Sequence, residues 1–280
     1  MRTSIGVVSY CDHIRTLAAV NHELYAARHG YVYLHDIAPT RERRFKAKIE
    51  KIRKLLPLFD WVFWIDDDAY FMQPEVPLEG LIDLAPGAEV IFCESPVNEG
   101  KWTWISSGNF FIRNSHESMR LLDAVLSTDL STVAEWWDPS TYGYYTKGDQ
   151  DALVYHLATD ERFSSPGFLA RLHFERFNTR PFHFIESSDE YFLVHFTGGD
   201  KHRQATEFGD RFGLTPALVP VNELGRLAGI YHPPKSTPVG PPADAVPDAP
   251  LDEPASRPNR SASFLRRLRG GSTSIGREAP

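Results

Sequence analysis

The chain has 280 residues, of which 42% are hydrophobic and 24% are charged, a balance typical of a soluble globular protein with one ordinary domain and an extension. The net charge of −7 argues against a dedicated nucleic-acid-binding protein, which usually carries a clear basic excess. Two cysteines, Cys11 and Cys93, are too few for a disulfide framework, and their apolar surroundings indicate buried free thiols. No apolar stretch approaches 18 residues, so no membrane-spanning helix is predicted.

The two ends of the chain differ in composition. Residues 1–4 pass directly into an apolar strand without the apolar core and cleavage site of a signal peptide, so we expect a cytoplasmic protein. From about Pro233 the chain is rich in proline and poor in aromatic residues. We therefore predict one domain over residues 1–232 and a disordered tail over residues 233–280. A short basic patch at 264–269 predicts at most peripheral contact with an anionic membrane.

The first part of the chain predicts alternating strands and helices. Residues 5–10 indicate a strand, helical spacing follows over 14–29 up to a helix stop at Gly30, and residues 31–34 indicate a second strand. This β-α-β order predicts parallel strands joined by a right-handed crossover. An amphipathic helix over residues 45–56 has a lysine-rich outer face, which is usually just solvated.

The same alternation continues, so the sequence predicts an α/β fold with a mostly parallel central sheet flanked by helices. Ser115 is a predicted helix cap, and the region 135–148 is a predicted loop with exposed aromatic residues. The remaining predicted elements are strands at 61–65, 90–93, 109–113 and 192–196, and helices over 116–127 and from residue 149 onward.

Three consecutive aspartates follow the most apolar strand, residues 61–65. Asp66 and Asp68 lie two apart, so in extended chain they point to the same side. Two unit charges about 4 Å apart repel by roughly 4 kcal/mol at an effective dielectric near 20. A bound cation would relieve this repulsion, whereas the alternative is a helix cap or solvated turn with an accidental acidic run. In an open α/β sheet, ligands bind at this carboxyl end of the strands.

A histidine and a lysine near the end of the predicted domain complete a candidate site. His195 lies in an apolar run, where a lone histidine is usually a buried core residue. Here a Gly-Gly pair follows, and a turn would bring Lys201 alongside. A ligand set of two carboxylates and one imidazole suits Mn²⁺ better than it suits a metal that prefers thiolate ligands, such as structural zinc. Such a cation keeps open positions for two diphosphate oxygens, and Lys201 would neutralise the same diphosphate.

Five short stretches carry a resemblance to a known family. They are Tyr25–Tyr31, Trp64–Ala69, Ser106–Ser115, Asp149–Leu153 and His195–Gly198. With its Asp-x-Asp motif after an apolar strand, the sequence resembles the nucleotide-sugar-dependent glycosyltransferases with the GT-A fold. More narrowly it resembles glycosyltransferase family 34, which contains fungal mannosyl- and galactosyltransferases and plant xyloglucan xylosyltransferases. The His195-x-x-Gly198-x-x-Lys201 motif also resembles the glycogenin-like family 8. The resemblance covers about residues 3–205.

The resemblance implies a role for each matched residue. Asp66, Asp68 and His195 would hold Mn²⁺, with Mg²⁺ as second choice, and through it the donor diphosphate. Asp149 and Gln150 would be the catalytic residues, facing the anomeric carbon of the donor sugar. The donor-binding residues would be Ser9, Tyr10, Lys48, Asp66, Ser107, Gly108, Asn109, Asp151, Gly198 and Lys201.

Several finer expectations come with the resemblance. Ser9 and Tyr10 would lie near the nucleotide base. Family members commonly use a basic residue of the 45–54 helix, for which Lys48 fits best and Lys46 nearly as well. The C-terminal motif departs from the family pattern after Gly198. Relatives are often anchored in the Golgi, and this chain shows no anchor, which suggests a bacterial cytoplasmic relative.

The resemblance also bears on substrates. UDP-sugars are the favoured donors and GDP-sugars the second choice, and an α-linked donor would give an α-linked product by retention. The acceptor would be a glycan, a lipid-linked glycan or a small molecule. It would lie against Trp102, Trp104 and Trp137, although ordinary core packing explains buried aromatic residues equally well.

Two other classes of function stay open on the sequence alone. A metal-dependent phosphoesterase or nucleotidyltransferase would also use clustered carboxylates, but a two-metal site normally needs further ligands. A non-catalytic nucleotide-sugar-binding protein would need only part of the site.

Overall fold

The structure, a computed structural model, describes residues 3–39, 44–165 and 167–224. The tail predicted over 233–280 lies outside these residues, so the division into domain and tail stays a prediction. No helix in the described ranges is long and apolar enough to cross a membrane.

Eight strands form two sheets within the described residues. They are β1 (Ile5–Cys11), β2 (Val32–Ile37), β3 (Trp61–Ile65), β4 (Ala69–Phe71), β5 (Val90–Cys93), β6 (Ser106–Arg113), β7 (Leu169–Leu172) and β8 (Leu193–His195). The central sheet has the order β2-β1-β3-β6-β5-β7, and β4 pairs with β8 in a small antiparallel sheet. Only β6 runs against its neighbours in the central sheet. The sheet is therefore mostly parallel, and the predicted fold class is confirmed.

Helices cover both faces of the central sheet. They are α1 (Ala18–His29), α2 (Arg44–Leu55), α3 (Leu78–Ile82), α4 (His116–Ser127), α5 (Leu130–Trp136), α6 (Pro139–Tyr142), α7 (Asp149–Thr159), α8 (Glu161–Ser164) and α9 (Lys201–Phe212). Side chains alternate along β3: Val62 and Trp64 share a core with α2, α4 and α7, whereas Phe63 and Ile65 share one with α1 and α3. Every residue of β3 is buried, as its unbroken apolar sequence predicts.

Helix α1 starts four residues later than the helical spacing suggested. Ile14 and Leu17 precede it and are 63% and 45% exposed, so they do not share its buried face. The hydroxyl of Thr16 accepts a hydrogen bond from the Ala18 N–H and donates one to the carbonyl oxygen of Asp67. The chain before α1 is therefore held at the aspartates instead of continuing the helix. The predicted end is confirmed, because Gly30 closes α1 with φ at 71°.

Other boundaries also differ from the sequence prediction. Strand β6 begins at Ser106 instead of residue 109, because Ser106 already pairs with Cys93 of β5. The region predicted as an aromatic loop contains the end of α5 and the whole of α6, and it ends where α7 begins. The rings of Trp136, Trp137 and Tyr142 pack together there, so most of this aromatic surface is consumed by folding.

Candidate active site

A cleft of about 820 Å³ opens where β3 ends at the aspartates. Its walls come from α2, from the start of β6, from the start of α7 and from the segment that links β8 to α9. Eleven predicted site residues line it: Lys48, Asp66, Asp68, Trp102, Ser107, Gly108, Asp149, Gln150, His195, Gly198 and Lys201. Residues that are far apart in sequence therefore meet in one cavity at the expected edge of the sheet.

The aspartates form a tight turn instead of extended chain. The Ala69 N–H donates to the Asp66 carbonyl oxygen at 3.1 Å, and the Asp66 N–H donates to the Gly108 carbonyl oxygen at 2.8 Å. The Phe196 N–H donates to the Asp68 carbonyl oxygen at 2.9 Å. The turn is thus fastened to β6 on one side and to the chain after β8 on the other, which fixes where the carboxylates lie.

Asp66, Asp68 and His195 form a cluster with the chemistry of a metal site. Each offers one ligand atom, and the three atoms lie within 4.8 Å of one another. Among the described residues, no other group of three or more such side chains does so. Asp68 is 1% exposed, and its Oδ1 accepts no hydrogen bond although it lies 3.2 Å from His195 Nε2. A buried carboxylate oxygen without a donor is a costly group that a cation would satisfy, so these residues fit a divalent metal.

Charges around Asp68 keep it ionised. Burial raises its pKa, but the ammonium of Lys201 against its Oδ2 counteracts burial, and the pKa of Asp68 lies below its ordinary value. Burial lowers the pKa of His195 despite the neighbouring carboxylate, which favours a neutral imidazole. The middle aspartate behaves differently: burial, with Asp68 and Asp66, raises the pKa of Asp67 to about 6. Asp67 is not part of the metal-type cluster.

Lys48 connects Asp66 of the metal-type cluster to Asp149 at the start of α7. Its Nζ lies 3.1 Å from Asp66 Oδ1 and 3.2 Å from Asp149 Oδ2, and it donates to the Ser107 carbonyl oxygen at 2.9 Å. Burial lowers its pKa, but Asp149 and Asp66 more than offset this, so the pKa of Lys48 is raised. On the basic face of α2 predicted from sequence, Lys48 is the residue that reaches the cleft, whereas Lys46 donates to the Leu126 carbonyl oxygen.

Gly108 brings β6 into contact with the imidazole of His195. A Cβ built on Gly108 would lie 2.2 Å from His195 Cε1 and 3.0 Å from each ring nitrogen. Because real carbon–carbon contacts lie near 3.5–4.0 Å, only glycine leaves room for the ring at this position.

Two predicted donor-binding residues lie behind the cleft wall. Asn109 is fully buried, and its Nδ2 lies 3.4 Å from His195 Nδ1. Asp151 is also fully buried and accepts hydrogen bonds from the backbone of Thr146 and Gly148 and from the Thr146 hydroxyl. Asp151 is the third residue of α7, and its carboxylate accepts the N–H of the N-cap residue Gly148, so it stabilises the start of this helix.

Four other predicted residues do not line the cleft. Ser9 is 1% exposed, and the Tyr10 hydroxyl donates to the Ala38 carbonyl oxygen at 2.6 Å. Trp137 is 9% exposed and donates from Nε1 to the Gly143 carbonyl oxygen, and Trp104 packs under the guanidinium of Arg171. Of the three tryptophans expected to contact an acceptor, only Trp102 lines the cleft.

Several cleft residues were not among the site residues assigned individually from the sequence. Tyr144 and Phe182 are each 53% exposed and line the cleft together with Ser95, Asn98 and Arg180. Tyr144 belongs to the predicted aromatic loop, which is a usable signal. For Arg180 the only signal is a short polar run between two phenylalanines, which does not reveal that its side chain is buried.

The chain is similar in sequence to plant glycosyltransferases. It is 26% identical over 178 residues to galactomannan galactosyltransferase 1 of Cyamopsis tetragonoloba, a match that covers 54% of this chain and 38% of that protein. It is 28% identical over 176 residues to xyloglucan 6-xylosyltransferase 1 of Arabidopsis thaliana, with 53% and 35% covered. The matches thus span well under half of these relatives, and their plant origin gives no support to the expected bacterial source. No family model matches the sequence.

The fold is shared with a solved glycosyltransferase structure. A glycosyltransferase involved in the glycosylation of the major capsid of PBCV-1 superposes with a TM-score of 0.55 at 18% identity, covering 74% of this chain and 99% of that one. The fold is therefore GT-A-like, as the sequence resemblance implied.

Proposed function

We propose that this protein is a metal-dependent, retaining glycosyltransferase of the family 34 type. It would move a hexose or pentose from a nucleotide diphosphate sugar to a glycan, lipid-linked or small-molecule acceptor. The observation that carries the proposal is the cluster of Asp66 with the buried Asp68 and His195 at a cleft, in a chain similar to plant glycosyltransferases. UDP-sugars are the favoured donors, with GDP-sugars second, and both galactosyl and xylosyl transfer occur among the names of the relatives. A cytoplasmic location stays a prediction.

Asp66, Asp68 and His195 would hold the cation, Mn²⁺ by preference and Mg²⁺ as second choice, because two carboxylates and one imidazole suit these ions. A bound divalent cation stabilises, as a Lewis acid, the negative charge that develops on a departing diphosphate. Lys201 lies against the far oxygen of Asp68 and is 34% exposed, so its ammonium can also face an anionic ligand in the cleft. The family 8-like motif would act through this lysine as a point charge.

Asp149 is the better placed of the two proposed catalytic residues to stabilise positive charge on the sugar. Asp149 lines the cleft, and its buried Oδ2 has no hydrogen-bond donor, although Lys48 Nζ lies 3.2 Å away. Gln150 Oε1 already accepts the Ser107 N–H at 3.1 Å, which fixes this side chain at the wall. An oxocarbenium-like sugar would thus meet the Asp149 carboxylate on one side and the departing diphosphate on the other.

The alternative classes find less support. A two-metal phosphoesterase needs more ligands than the single three-residue cluster found among the described residues. A protein that only binds nucleotide sugars would not need Asp149 and Lys48 in the same cleft.

The test is a panel of UDP- and GDP-sugars incubated with the purified full-length chain in Mn²⁺ or in EDTA, with nucleotide release measured. Release from one donor that requires Mn²⁺ and is lost in Asp68→Ala supports the proposal and identifies the sugar. Donor binding is titrated in the same samples because release without an acceptor is slow for many transferases. If no nucleotide sugar binds in the presence of metal, the proposal fails and the phosphoesterase class replaces it.

A further inference from the structure

The segment 178–180 holds the metal-type ligand His195 from behind. The backbone N–H of His195 donates to the Thr179 carbonyl oxygen at 2.9 Å, and Thr179 also forms a β-bridge with Val194 of β8. Asn178 and Thr179 are fully buried, and Arg180 is 4% exposed. The segment therefore fixes the backbone of β8 and brings two polar side chains close to the imidazole.

The side-chain amide of Asn178 has only one orientation that its neighbours accept. Its Nδ2 lies 2.8 Å from the Glu94 carbonyl oxygen, a group that only accepts hydrogen bonds. Its Oδ1 lies 2.9 Å from Arg180 Nη1, a group that only donates. Arg180 Nη1 also donates to the Asn178 carbonyl oxygen at 3.0 Å, so it holds this residue at two points. The oxygen must therefore face Arg180 and His195.

This orientation decides which nitrogen of His195 carries the proton. Nδ1 lies 3.1 Å from Asn178 Oδ1, which can only accept, so Nδ1 must be the N–H. In the neutral ring, Nε2 then has a free lone pair, and it faces Asp68 Oδ1 at 3.2 Å. Two buried acceptors at this distance repel each other unless a cation lies with them.

Asn109 lies on the other side of the same ring nitrogen. Its Nδ2 lies 3.4 Å from His195 Nδ1, and its own Oδ1 is buried without a hydrogen-bond partner. The Nδ1–H tautomer therefore requires the Asn109 amide to turn its oxygen toward His195, and the absence of a donor at the present position of that oxygen favours this turn.

We propose that Asn178, held by Arg180, is a positioning residue that fixes His195 as its Nδ1–H tautomer and so presents Nε2 as a ligand for a divalent cation beside Asp68. The proposal rests on the metal site of the proposed function. Partners that fix a ligating histidine in this way typically contribute about 10–100-fold to metal affinity.

The first test is the tautomer itself, read from ¹⁵N chemical shifts of labelled histidines in the metal-free chain at mildly alkaline pH. The His195 signals are assigned by their absence in His195→Gln. We expect a protonated Nδ1 and an unprotonated Nε2 in the wild type. A proton on Nε2, whether in the other tautomer or in a doubly protonated ring, would overturn the proposal whatever the Asn178 variants show.

The second test is Mn²⁺ affinity in variants of Asn178, followed by the signal of free Mn²⁺ in electron paramagnetic resonance. Asn178→Leu removes the acceptor at similar volume and should weaken binding by about 10–100-fold. Asn178→Asp keeps the acceptor and should restore the Nδ1–H tautomer and most of the affinity. Asn21 is a matched control, since it is 2% exposed and bonds only the Phe71 backbone.

The outcomes separate the two proposals. Asn21→Leu should lose stability but keep wild-type Mn²⁺ affinity. Wild-type affinity in a folded Asn178→Leu, or equal losses in the Leu and Asp variants, would contradict the positioning role. A wild-type chain that binds no Mn²⁺ would refute the metal site of the proposed function, and the tautomer, measured without metal, still reports on Asn178 separately.

Discussion

Replacing Gly108 by alanine should displace His195 and weaken metal binding. The new methyl group would lie 2.2 Å from His195 Cε1, so the ring must retreat by about 1.3 Å to restore a contact of about 3.5 Å. The backbone itself tolerates alanine, because φ of Gly108 lies outside the left-handed region. The added methyl group is therefore expected to displace the His195 imidazole or strand β6, without straining the backbone at residue 108.

The size of the effect follows from the cost of overpacking, about 1–3 kcal/mol per added group in a close-packed interior. If the ring moves aside in the metal-free protein, this cost appears when the cation draws it back. Mn²⁺ affinity should then fall by about 5- to 150-fold, since 1.4 kcal/mol corresponds to a factor of ten. Transfer activity should fall by about 100-fold, as for a displacement of about 1 Å at a reacting centre.

The assay is a Mn²⁺ titration together with thermal unfolding of the metal-free protein. Gly80→Ala is the control, because Gly80 lies in α3 with nothing within 4 Å of the added Cβ. It should keep wild-type affinity and gain about 0.5–1 kcal/mol in stability, since alanine costs less entropy in a helix. Wild-type Mn²⁺ affinity and wild-type unfolding in Gly108→Ala would refute the close approach of β6 to the ring.

Two further predictions concern a buried lysine, Lys48, and a buried histidine, His22. Lys48→Met should leave Asp66 and Asp149 without their shared partner and should lower the free energy of unfolding by about 1.5–3 kcal/mol. The control is Lys54→Met, at an exposed position of the same helix, which should change this free energy little. Equal urea midpoints for the two variants would contradict the role of Lys48. Burial lowers the pKa of His22 to about 4, so its stabilising contribution is present above the unfolded pKa of about 6.5 and falls as the pH drops toward 4. Between pH 7 and about pH 5, the free energy of unfolding measured in urea should fall by about 2 kcal/mol more for the wild type than for His22→Gln. If the two proteins show the same pH dependence of this free energy, His22 is not buried in its neutral form.

The sequence was most informative where one physical constraint decides the outcome. The run Trp61–Ile65 predicted a strand buried on both faces, and the aspartates after it marked the edge of the sheet where the cleft opens. Gly30 ended a helix because glycine adopts positive φ without strain, and Ser115 capped the next one through the Ser118 N–H. These local signals are independent of the rest of the fold.

Prediction failed where long-range contacts override local pattern. Ile14 and Leu17 have helical spacing, but the hydrogen bond from Thr16 to the aspartate turn holds the chain out of α1. Trp137 was expected near an acceptor, yet its ring is packed among other aromatic side chains. The sequence could not predict this, because spacing alone does not show which face of a short helix is covered. The support of His195 by Asn178 depends on a loop meeting β8 in space, and no local pattern encodes that meeting.

The central claim is that the cleft binds a nucleotide diphosphate through a cation held by Asp66, Asp68 and His195. Calorimetric titration of the full-length chain with UDP, in Mn²⁺ and in EDTA, tests it most directly. The account predicts binding in Mn²⁺ that disappears in EDTA and in Asp68→Ala, but persists in Asp67→Asn, whose side chain is outside the cluster. Equal UDP binding with and without metal, or binding unaffected by Asp68→Ala, would contradict it.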